Sequence, residues 1–395
     1  MRAVIYGAGN IGRGFIARLL SDSGYEISFI DVAEPLVNSL NNVKRYPVRL
    51  LSAGTSQDVW IEGIRAINGS DSGKTIQAIA ETDIMATAVG VRILPLIAPV
   101  LAQGIKKRLA GTGKPLNIII CENLIDADKV LEKLIKETLD IEEQKLFDKK
   151  IGLIKASIGC MVPIQTDFMK DGNALRICTE DYSLLPVDKK AFRGEIPLIQ
   201  GMEVFDNFDF YIERKLFIHN MGHGICAYMG LYQGDEFIWE TINKPEIIFM
   251  AQNAMLESAL ALSKKYNAPI TELYRHITDL IRRFSNKSLG DTCLRVGADT
   301  ARKLGEKDRF AGAIKCCEEN DIRPLFISAG TAAALVRHIK DNNLEQTTTQ
   351  AGAILREISC IPENSGTSGL ILSMYSFFLE TGALPKTIGH ILSLW

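Results

Sequence analysis

Three glycines near the start of the chain are spaced in a way that suits phosphate binding. Gly7, Gly9 and Gly12 follow the apolar residues 3–6 in G-x-G-x-x-G order, and residues 15–20 continue as an apolar helix face. The first glycine permits a tight turn, the second lets the backbone approach a pyrophosphate, and the third lets helix and strand pack closely. The spacing therefore predicts a dinucleotide site built from the helix N-terminus and this loop: Gly7, Ala8, Gly9, Asn10, Ile11 and Gly12.

An acidic residue follows where such a site needs a ribose contact. Residues 26–30 form a second predicted strand, and Asp31 ends it 19 positions beyond Gly12. A carboxylate at this point accepts hydrogen bonds from the adenosine ribose and repels a 2′-phosphate. The expected cofactor is therefore NAD(H) rather than NADP(H). The alternative interpretation of the glycine motif as a whole is a glycine turn in an unrelated α/β protein.

A second group of chemically useful side chains lies in the other half of the chain. On a regular helix, Lys215, Asn220 and His223 fall within an arc of about 140°, and Gly222 and Gly224 would leave that surface open to a ligand. Reduction of a ketone requires a proton donor, which a partly desolvated lysine can be, and an amide can stabilise the developing charge. The alternative for Lys215 is an ordinary solvated lysine.

The elements that must position these residues differ between the two halves of the chain. Strands alternate with helices up to about residue 139, which predicts an α/β fold with a Rossmann-like, doubly wound, mostly parallel sheet. Beyond about residue 207 the pattern is helical, which predicts a mainly helical C-terminal domain. We expect an NAD-binding domain over 1–195 and a substrate and catalytic domain over 196–395. The predicted strands include 47–51, 59–67, 84–88 and 116–121, and the predicted helices include 75–81, 93–109, 127–139, 210–229, 245–266, 270–283, 308–319, 326–342 and 345–358.

The composition narrows the class of protein. The 395 residues are 47% hydrophobic and carry a net charge of −2, which argues against a nucleic-acid partner bound through bulk charge. No apolar run reaches the roughly 20 residues that cross a bilayer, so no membrane partner is expected. The eight cysteines and five histidines show no metal-ligand spacing, so no metal is expected, and scattered thiols fit a reducing cytoplasm. The sequence leaves the oligomeric state open, a monomer included.

The chain also resembles a known family. Lys215, Asn220 and His223 match the K-x-x-x-x-N-x-x-H signature of the polyol-specific long-chain dehydrogenases, the mannitol dehydrogenase family. Further similar segments follow in the same order, at residues 7–15, 87–90, 121–123, 213–217, 283–284, 302–304 and 308–309. The resemblance implies an NAD(H)-dependent, metal-independent oxidoreductase that interconverts D-fructose 6-phosphate and D-mannitol 1-phosphate, and it adds Val89 to the cofactor contacts.

The resemblance also implies roles for single residues. Lys215 corresponds to the general acid–base that serves the C5 oxygen, Asn220 and Asn123 to the pair that hydrogen-bonds this oxygen, and His223 to a residue that orients the substrate. Asn123 also follows a predicted strand directly, at the edge where ligands bind in open parallel sheets. Its alternative interpretation is an ordinary turn asparagine.

Phosphate recognition is expected from cations in the second domain, because a guanidinium can hold a phosphate through two hydrogen bonds. The alternative is a solvated basic helix face. The candidates for substrate binding are Arg295, Arg302, Lys303 and Arg309.

Two departures from the family pattern leave other functions open. Gly159 and Cys160 replace an Asp-Arg pair, and His219 stands where relatives carry an apolar residue. His219 is interpreted as a core-edge histidine rather than as a replacement polar contact. The first departure keeps two alternatives: a dehydrogenase of the same family acting on a hexuronate or a free polyol, and a nucleotide-binding protein with little catalysis.

Overall fold

The computed structural model describes residues 1–393 apart from 53, 125, 382 and 383, with the side chains of 384–388 also left aside. The chain forms two compact units, Met1–Phe208 and Asp209–Trp395. None of the helices among the described residues combines the length and the apolar content needed to cross a bilayer.

The first unit is built on a six-stranded parallel sheet, as predicted. Its strand order is β5-β2-β1-β6-β7-β8. These strands are β1 (Arg2–Tyr6), β2 (Glu26–Asp31), β5 (Arg65–Asn68), β6 (Ile84–Thr87), β7 (Leu116–Ile120) and β8 (Ile151–Lys155). Side chains alternate between two buried layers, with Ile5 and Phe29 in one and Val4 and Ile30 in the other. Apolar burial on both faces is what requires helices on each side of a parallel sheet.

Helices cover this sheet, and smaller strand groups flank it. A π-helical turn, Gly12–Ile16, leads into the first helix. The helices are α1 (Ala17–Asp22), α2 (Glu34–Val43), α3 (Ser72–Glu81), α4 (Leu94–Ala110), α5 (Ala127–Lys136), α6 (Ile141–Lys150) and α7 (Asp167–Lys170). A three-stranded sheet has the order β4-β3-β9 and a two-stranded sheet pairs β10 with β11. Their strands are β3 (Arg45–Ser52), β4 (Thr55–Glu62), β9 (Ile177–Glu180), β10 (Leu185–Asp188) and β11 (Met202–Phe205).

Two boundary predictions in this unit are wrong. The single strand expected over 59–67 is broken at Gly63, whose φ of 64° is left-handed, so that β4 and β5 join different sheets. The helix expected over 127–139 ends at Lys136, and α6 begins at a capping box between Asp140 and Glu143.

The second unit is helical throughout its regular structure among the described residues, as predicted. One continuous helical stretch runs from α8 through a π-helical segment, Arg214–Asn220, into α9. The helices are α8 (Phe208–Glu213), α9 (Met221–Gln233), α10 (Ile238–Ile242), α11 (Pro245–Tyr266), α12 (Ile270–Phe284), α13 (Cys293–Gly297), α14 (Thr300–Leu304), α15 (Ala311–Glu319), α16 (Leu325–Asp341), α17 (Thr348–Glu357), α18 (Gly366–Thr381) and α19 (Leu384–Ser393). The last two helices were not anticipated.

Candidate functional site

The loop after β1 turns tightly at Gly7 and leaves its backbone open at Gly9. Gly7 has a φ of 101°, and a Cβ there would collide with the carbonyl of Ala88. A Cβ on Gly12 would collide with the carbonyl of Gly7, so this glycine lets the helix start lie close to the turn. A Cβ on Gly9 would meet no atom within 4 Å, and Gly9 and Asn10 are exposed. The backbone at Gly9 is therefore open to an approaching phosphate, as predicted for the second glycine.

Arg13 braces this loop, a role that the sequence analysis missed. Its Nε donates to the carbonyl of Ala8 at 2.6 Å and its Nη1 to that of Leu175 at 2.8 Å. The Tyr46 hydroxyl in turn donates to the Arg13 carbonyl at 2.8 Å. Burial lowers the pKa of Arg13, and the nearby Tyr46 and Asp31 oppose that shift. The available signal was a charged residue placed within an otherwise apolar helix face.

Asp31 lies at the end of β2 and holds the same loop from the other side. Its Oδ2 accepts a hydrogen bond from the backbone N–H of Ala8 at 2.8 Å, and its Oδ1 accepts one from Ala33 at 2.9 Å. An ionised carboxylate has about four acceptor positions, so two remain for ribose hydroxyls. The hydrogen bond from Ala8 links Asp31, the residue predicted to bind the ribose, directly to the glycine loop.

The loops after β6 and β7 meet through a buried carboxylate. Glu122 accepts from the Thr87 hydroxyl at 2.7 Å and from the backbone N–H of Val89 at 3.1 Å. Burial raises the pKa of Glu122, and the hydrogen bond from Thr87 opposes this. Val89 also packs at Gly7, since a Cβ built there would lie 3.2 Å from its Cγ1. Asn123 follows Glu122 and is exposed. The structure therefore places Val89 and Asn123 at the carboxyl edge of the sheet.

In the second unit, Lys215 and Asn220 lie in the π-helical segment. The N–H of Met221 bonds the carbonyl of Leu216, five residues earlier, where an α-helix would bond four residues back. The assumed regular winding of this stretch is therefore wrong. A π turn contains more residues than an α turn, which brings side chains five positions apart closer to one face, and such turns are frequent at functional sites. Lys215 and Asn220 are both half-buried.

The expected role of Gly222 and Gly224 is also wrong. Both are buried, and they admit neighbouring protein rather than a ligand. A Cβ on Gly222 would lie 2.5 Å from the sulfur of Met255, and one on Gly224 would lie 3.1 Å from the ring of Phe310. The two glycines therefore let other parts of the unit pack closely against α9.

His223 is held by a carboxylate and an aromatic ring. Its Nε2 lies 3.4 Å from Oδ2 of Asp291, and its ring stacks on Phe284 with centroids 4.7 Å apart and planes 9° from parallel. Burial lowers the pKa of His223 despite the nearby Asp291, so the charged form of the imidazole is disfavoured. Arg295 donates two hydrogen bonds of 2.6 Å to Asp291. Burial opposes ionisation of Asp291, but the contacts with His223 and Arg295 prevail and bring its pKa to about 2.

The predicted phosphate cations already have partners. Arg302 bonds Asp299 at 2.5 Å and Asp308 at 3.0 Å, and Arg309 bonds Asp308 at 2.8 Å. Lys303 is buried and donates to the carbonyls of Val296, at 2.6 Å, and Ala298. Burial lowers the pKa of Lys303 to about 8, and Arg309 and Arg302 add to this. Arg302 remains half-exposed.

Arg309 connects this cation group to the π-helical segment. Its Nη1 donates to the backbone carbonyl of Asn220 at 3.5 Å, and its side chain is buried. The structure thus brings Arg302 and Arg309 together at Asp308, while Arg295 is engaged by a different carboxylate, Asp291.

The departures from the family pattern lie in packed surroundings. Cys160 is buried in the core of the first unit, and a Cβ on Gly159 would lie 3.0 Å from the Tyr182 hydroxyl oxygen. His219 is buried, with its ring 5.7 Å from that of Phe284. Burial, with a contribution from Arg283, holds the pKa of His219 well below its usual value. A buried neutral histidine agrees with the core-edge interpretation. Among the described residues, no three histidine, cysteine or acidic side chains are grouped so as to hold a metal ion.

Comparison with known proteins covers both units. Residues 1–201 match the mannitol dehydrogenase Rossmann domain, and residues 207–354 match the mannitol dehydrogenase C-terminal domain. A mannitol-1-phosphate 5-dehydrogenase of Thermoanaerobacter pseudethanolicus is 36% identical over 394 residues, covering 96% of this chain and 99% of the relative. One of Bacillus subtilis is 39% identical over 336 residues, covering 85% and 87%.

Solved structures share the fold at low sequence identity. A substrate-free D-sorbitol dehydrogenase superposes with a TM-score of 0.82 at 15% identity, covering 98% of this chain and 94% of that one. A Pseudomonas fluorescens mannitol 2-dehydrogenase, in a ternary complex with NAD and D-mannitol, gives 0.79 at 15% identity and covers 100% and 94%.

Proposed function

The chain belongs to the mannitol dehydrogenase family, and we propose that it is an NAD(H)-dependent oxidoreductase interconverting D-fructose 6-phosphate and D-mannitol 1-phosphate. The observation that carries this proposal is the similarity to relatives named mannitol-1-phosphate 5-dehydrogenase, one of which aligns with 96% of the chain. The open glycine loop beside Asp31 supports the dinucleotide part on physical grounds.

The nucleotide contacts come from the carboxyl edge of the sheet. The backbone of residues 7–12 holds the pyrophosphate, and Asp31 receives the ribose hydroxyls on its two remaining acceptor positions. A 2′-phosphate would meet the Asp31 carboxylate, so NAD(H) is preferred over NADP(H). Val89, which packs at Gly7, completes the proposed contacts.

Lys215 is the proposed general acid–base. When bound, the nicotinamide supplies or accepts the hydride. In reduction the Lys215 ammonium protonates the oxygen that develops negative charge, and in oxidation its amine removes the alcohol proton. The π-helical segment supports this assignment because it brings the side chains of Lys215 and Asn220 towards one face.

Neutral groups stabilise and orient the reacting oxygen. The amide groups of Asn220 and Asn123 are proposed to donate hydrogen bonds to it as charge develops. His223 is proposed to orient the substrate through a ring held by Phe284 and Asp291. Burial disfavours the charged form of His223, and with it a second positive charge near the ammonium of Lys215.

Among the candidate cations, the contacts favour Arg302 and Arg309 for the phosphate. The two guanidinium groups share Asp308, and Arg302 is half-exposed. Arg302 binds the phosphate in place of one of its carboxylate partners. Arg309, whose Nη1 donates to the backbone carbonyl of Asn220, orients the phosphate end of the substrate. The contacts of Lys303 and Arg295 favour structural roles instead, in the turn near Ala298 and on Asp291.

The remaining expectations stay predictions. These are the assignment of NAD binding to residues 1–195 and of substrate binding and catalysis to residues 196–395, a cytoplasmic location, and the absence of a nucleic-acid or membrane partner. The oligomeric state stays open, a monomer included.

NADH oxidation with fructose 6-phosphate, fructose and fructuronate tests the proposed substrate. Two charge-assisted hydrogen bonds contribute roughly 1.5–3 kcal/mol each, so fructose 6-phosphate is expected to exceed fructose in kcat/KM by about 10²–10⁴-fold. Similar values for both ketoses would favour a free-polyol dehydrogenase, and a preference for fructuronate would favour a hexuronate dehydrogenase. Tight NADH binding without turnover on any of them would favour the non-catalytic alternative.

A further inference from the structure

We propose that Glu122 is a positioning residue that locks the loops after β6 and β7 together, and thereby sets the positions of Val89 and Asn123. The inference deepens the proposed function, since the tasks of Val89 and Asn123 rest on it. Glu122 does not itself touch the reacting atoms in this proposal.

The side-chain bonds of Glu122 follow directly after the backbone hydrogen bonds that pair β6 with β7. Strands β6 and β7 pair in parallel up to Thr87 and Ile120, and the N–H of Cys121 donates the next bond to the Thr87 carbonyl at 3.0 Å. Beyond that point Glu122 continues the connection with its side chain. Its Oε2 accepts from the Thr87 hydroxyl at 2.7 Å, and its Oε1 accepts from the N–H of Val89 at 3.1 Å.

Each carboxylate oxygen of Glu122 accepts a hydrogen bond from the Thr87–Val89 segment, and the arrangement is buried. Thr87 is fully buried and Glu122 is 7% exposed. Burying a carboxylate is costly unless hydrogen bonds compensate it, and both of these bonds come from the Thr87–Val89 segment. An apolar side chain would fill the space without that cost, so the bonds to the neighbouring loop are what the carboxylate adds.

The locked segment reaches the nucleotide loop. The N–H of Ala88 donates to the carbonyl of Tyr6 at 2.8 Å, and Val89 packs at Gly7. Asp31 performs the corresponding task for the loop after β1 by accepting from the N–H of Ala8. Loss of the two Glu122 bonds would therefore make the loop that contains Val89 and the adjoining loop that contains Asn123 more mobile.

The chemistry of the side chain distinguishes three variants. In Glu122→Gln, the amide oxygen accepts from Val89 while the amide N–H donates to the Thr87 hydroxyl, so both links persist. Glu122→Ala removes both links and leaves the Val89 N–H unpaired. Thr87→Val removes only the hydroxyl link at nearly constant side-chain shape.

The test measures these variants with and without nucleotide. Backbone hydrogen exchange in the nucleotide-free protein is followed over residues 86–90 and 121–124, NADH affinity by fluorescence titration, and kcat and KM with fructose 6-phosphate. For Glu122→Ala we expect faster exchange in both segments, about 10-fold weaker NADH binding and about 10–100-fold lower kcat, in line with the loss of two buried hydrogen bonds. Glu122→Gln should stay within about 3-fold of the wild type, and Thr87→Val should fall between the two.

Two outcomes would overturn the proposal: wild-type exchange and NADH affinity in Glu122→Ala, or a Glu122→Gln protein as impaired as the alanine variant. If Glu122→Ala does not fold, unchanged exchange over residues 86–90 in Thr87→Val would reject it. Because exchange and NADH affinity do not depend on the sugar, inactivity of the wild type on fructose 6-phosphate would reject the proposed function while these measurements still decide the role of Glu122.

Discussion

Asp31→Ala perturbs the carboxylate that both holds the glycine loop and faces the proposed ribose position. The substitution removes the bonds from Ala8 at 2.8 Å and Ala33 at 2.9 Å, along with the acceptors for the ribose. Hydrogen bonds to charged groups contribute roughly 1.5–3 kcal/mol each. Because Asp31 is half-buried rather than fully buried, water compensates part of the loss, and we expect a net cost of about 2 kcal/mol. NADH should therefore bind about 30-fold more weakly.

The same substitution should change the choice of nucleotide. Removing the carboxylate also removes its repulsion of a 2′-phosphate, so NADPH should lose less affinity than NADH and the preference for NADH should shrink by about 10-fold. Fluorescence titration with both nucleotides measures this. Glu26→Ala, an exposed carboxylate at the opposite end of the same strand β2, is the matched control and should leave both affinities unchanged. A wild-type protein that prefers NADPH, or an Asp31→Ala protein with unchanged NADH affinity, would contradict the proposed role of Asp31.

Three further predictions concern single side chains. Lys215→Ala should lower kcat by about 10²–10⁴-fold with nearly unchanged NADH affinity, as measured by steady-state kinetics and titration, and near-normal turnover would remove Lys215 from the mechanism. Arg302→Glu should lower kcat/KM for fructose 6-phosphate by at least about 10-fold while sparing any activity on fructose, and equal losses on both ketoses would argue against a phosphate contact. Burial raises the pKa of Glu257 from its ordinary 4.5 to about 8, although the N–H groups of Phe326 and Ile327 oppose this. Ionisation is then less favourable in the folded protein, so this residue's contribution to stability should be lost as the pH rises from about 4.5 to 8, by at most about 5 kcal/mol. Thermal unfolding across this range should show a smaller fall in Tm for Glu257→Gln than for the wild type, and identical slopes would contradict the assignment.

The features predicted correctly from the sequence depend on local spacing. The turn at Gly7, the open backbone at Gly9 and the position of Asp31 at the end of β2 follow from a short strand–turn–helix pattern. The separation into an α/β half and a helical half follows equally from hydrophobic periodicity. Such signals are contained within windows of about 10–30 residues, which is why a single sequence reveals them.

The features that were missed depend on winding or on contacts between distant residues. The π turn that carries Lys215 changes the angle between side chains without an evident mark in the sequence. The role of Glu122 depends on a hydrogen bond from Val89, which lies in a loop 33 positions earlier in the sequence. Asp291 reaches His223 across 68 positions of sequence, and no spacing rule connects them. Open helix surface at Gly224 was a wrong prediction because the ring that fills it, Phe310, comes from a distant segment.

In the proposed reaction the protein moves a hydride between NAD(H) and the ketone carbon of fructose 6-phosphate. Reduction of fructose 6-phosphate with NADH deuterated at the transferring carbon, followed by NMR of the product, tests it most directly. We expect mannitol 1-phosphate with one deuterium at C5, the carbon that was C2 of the ketose. Deuterium at another carbon, the glucitol epimer as the main product, or no transfer to this substrate would contradict it.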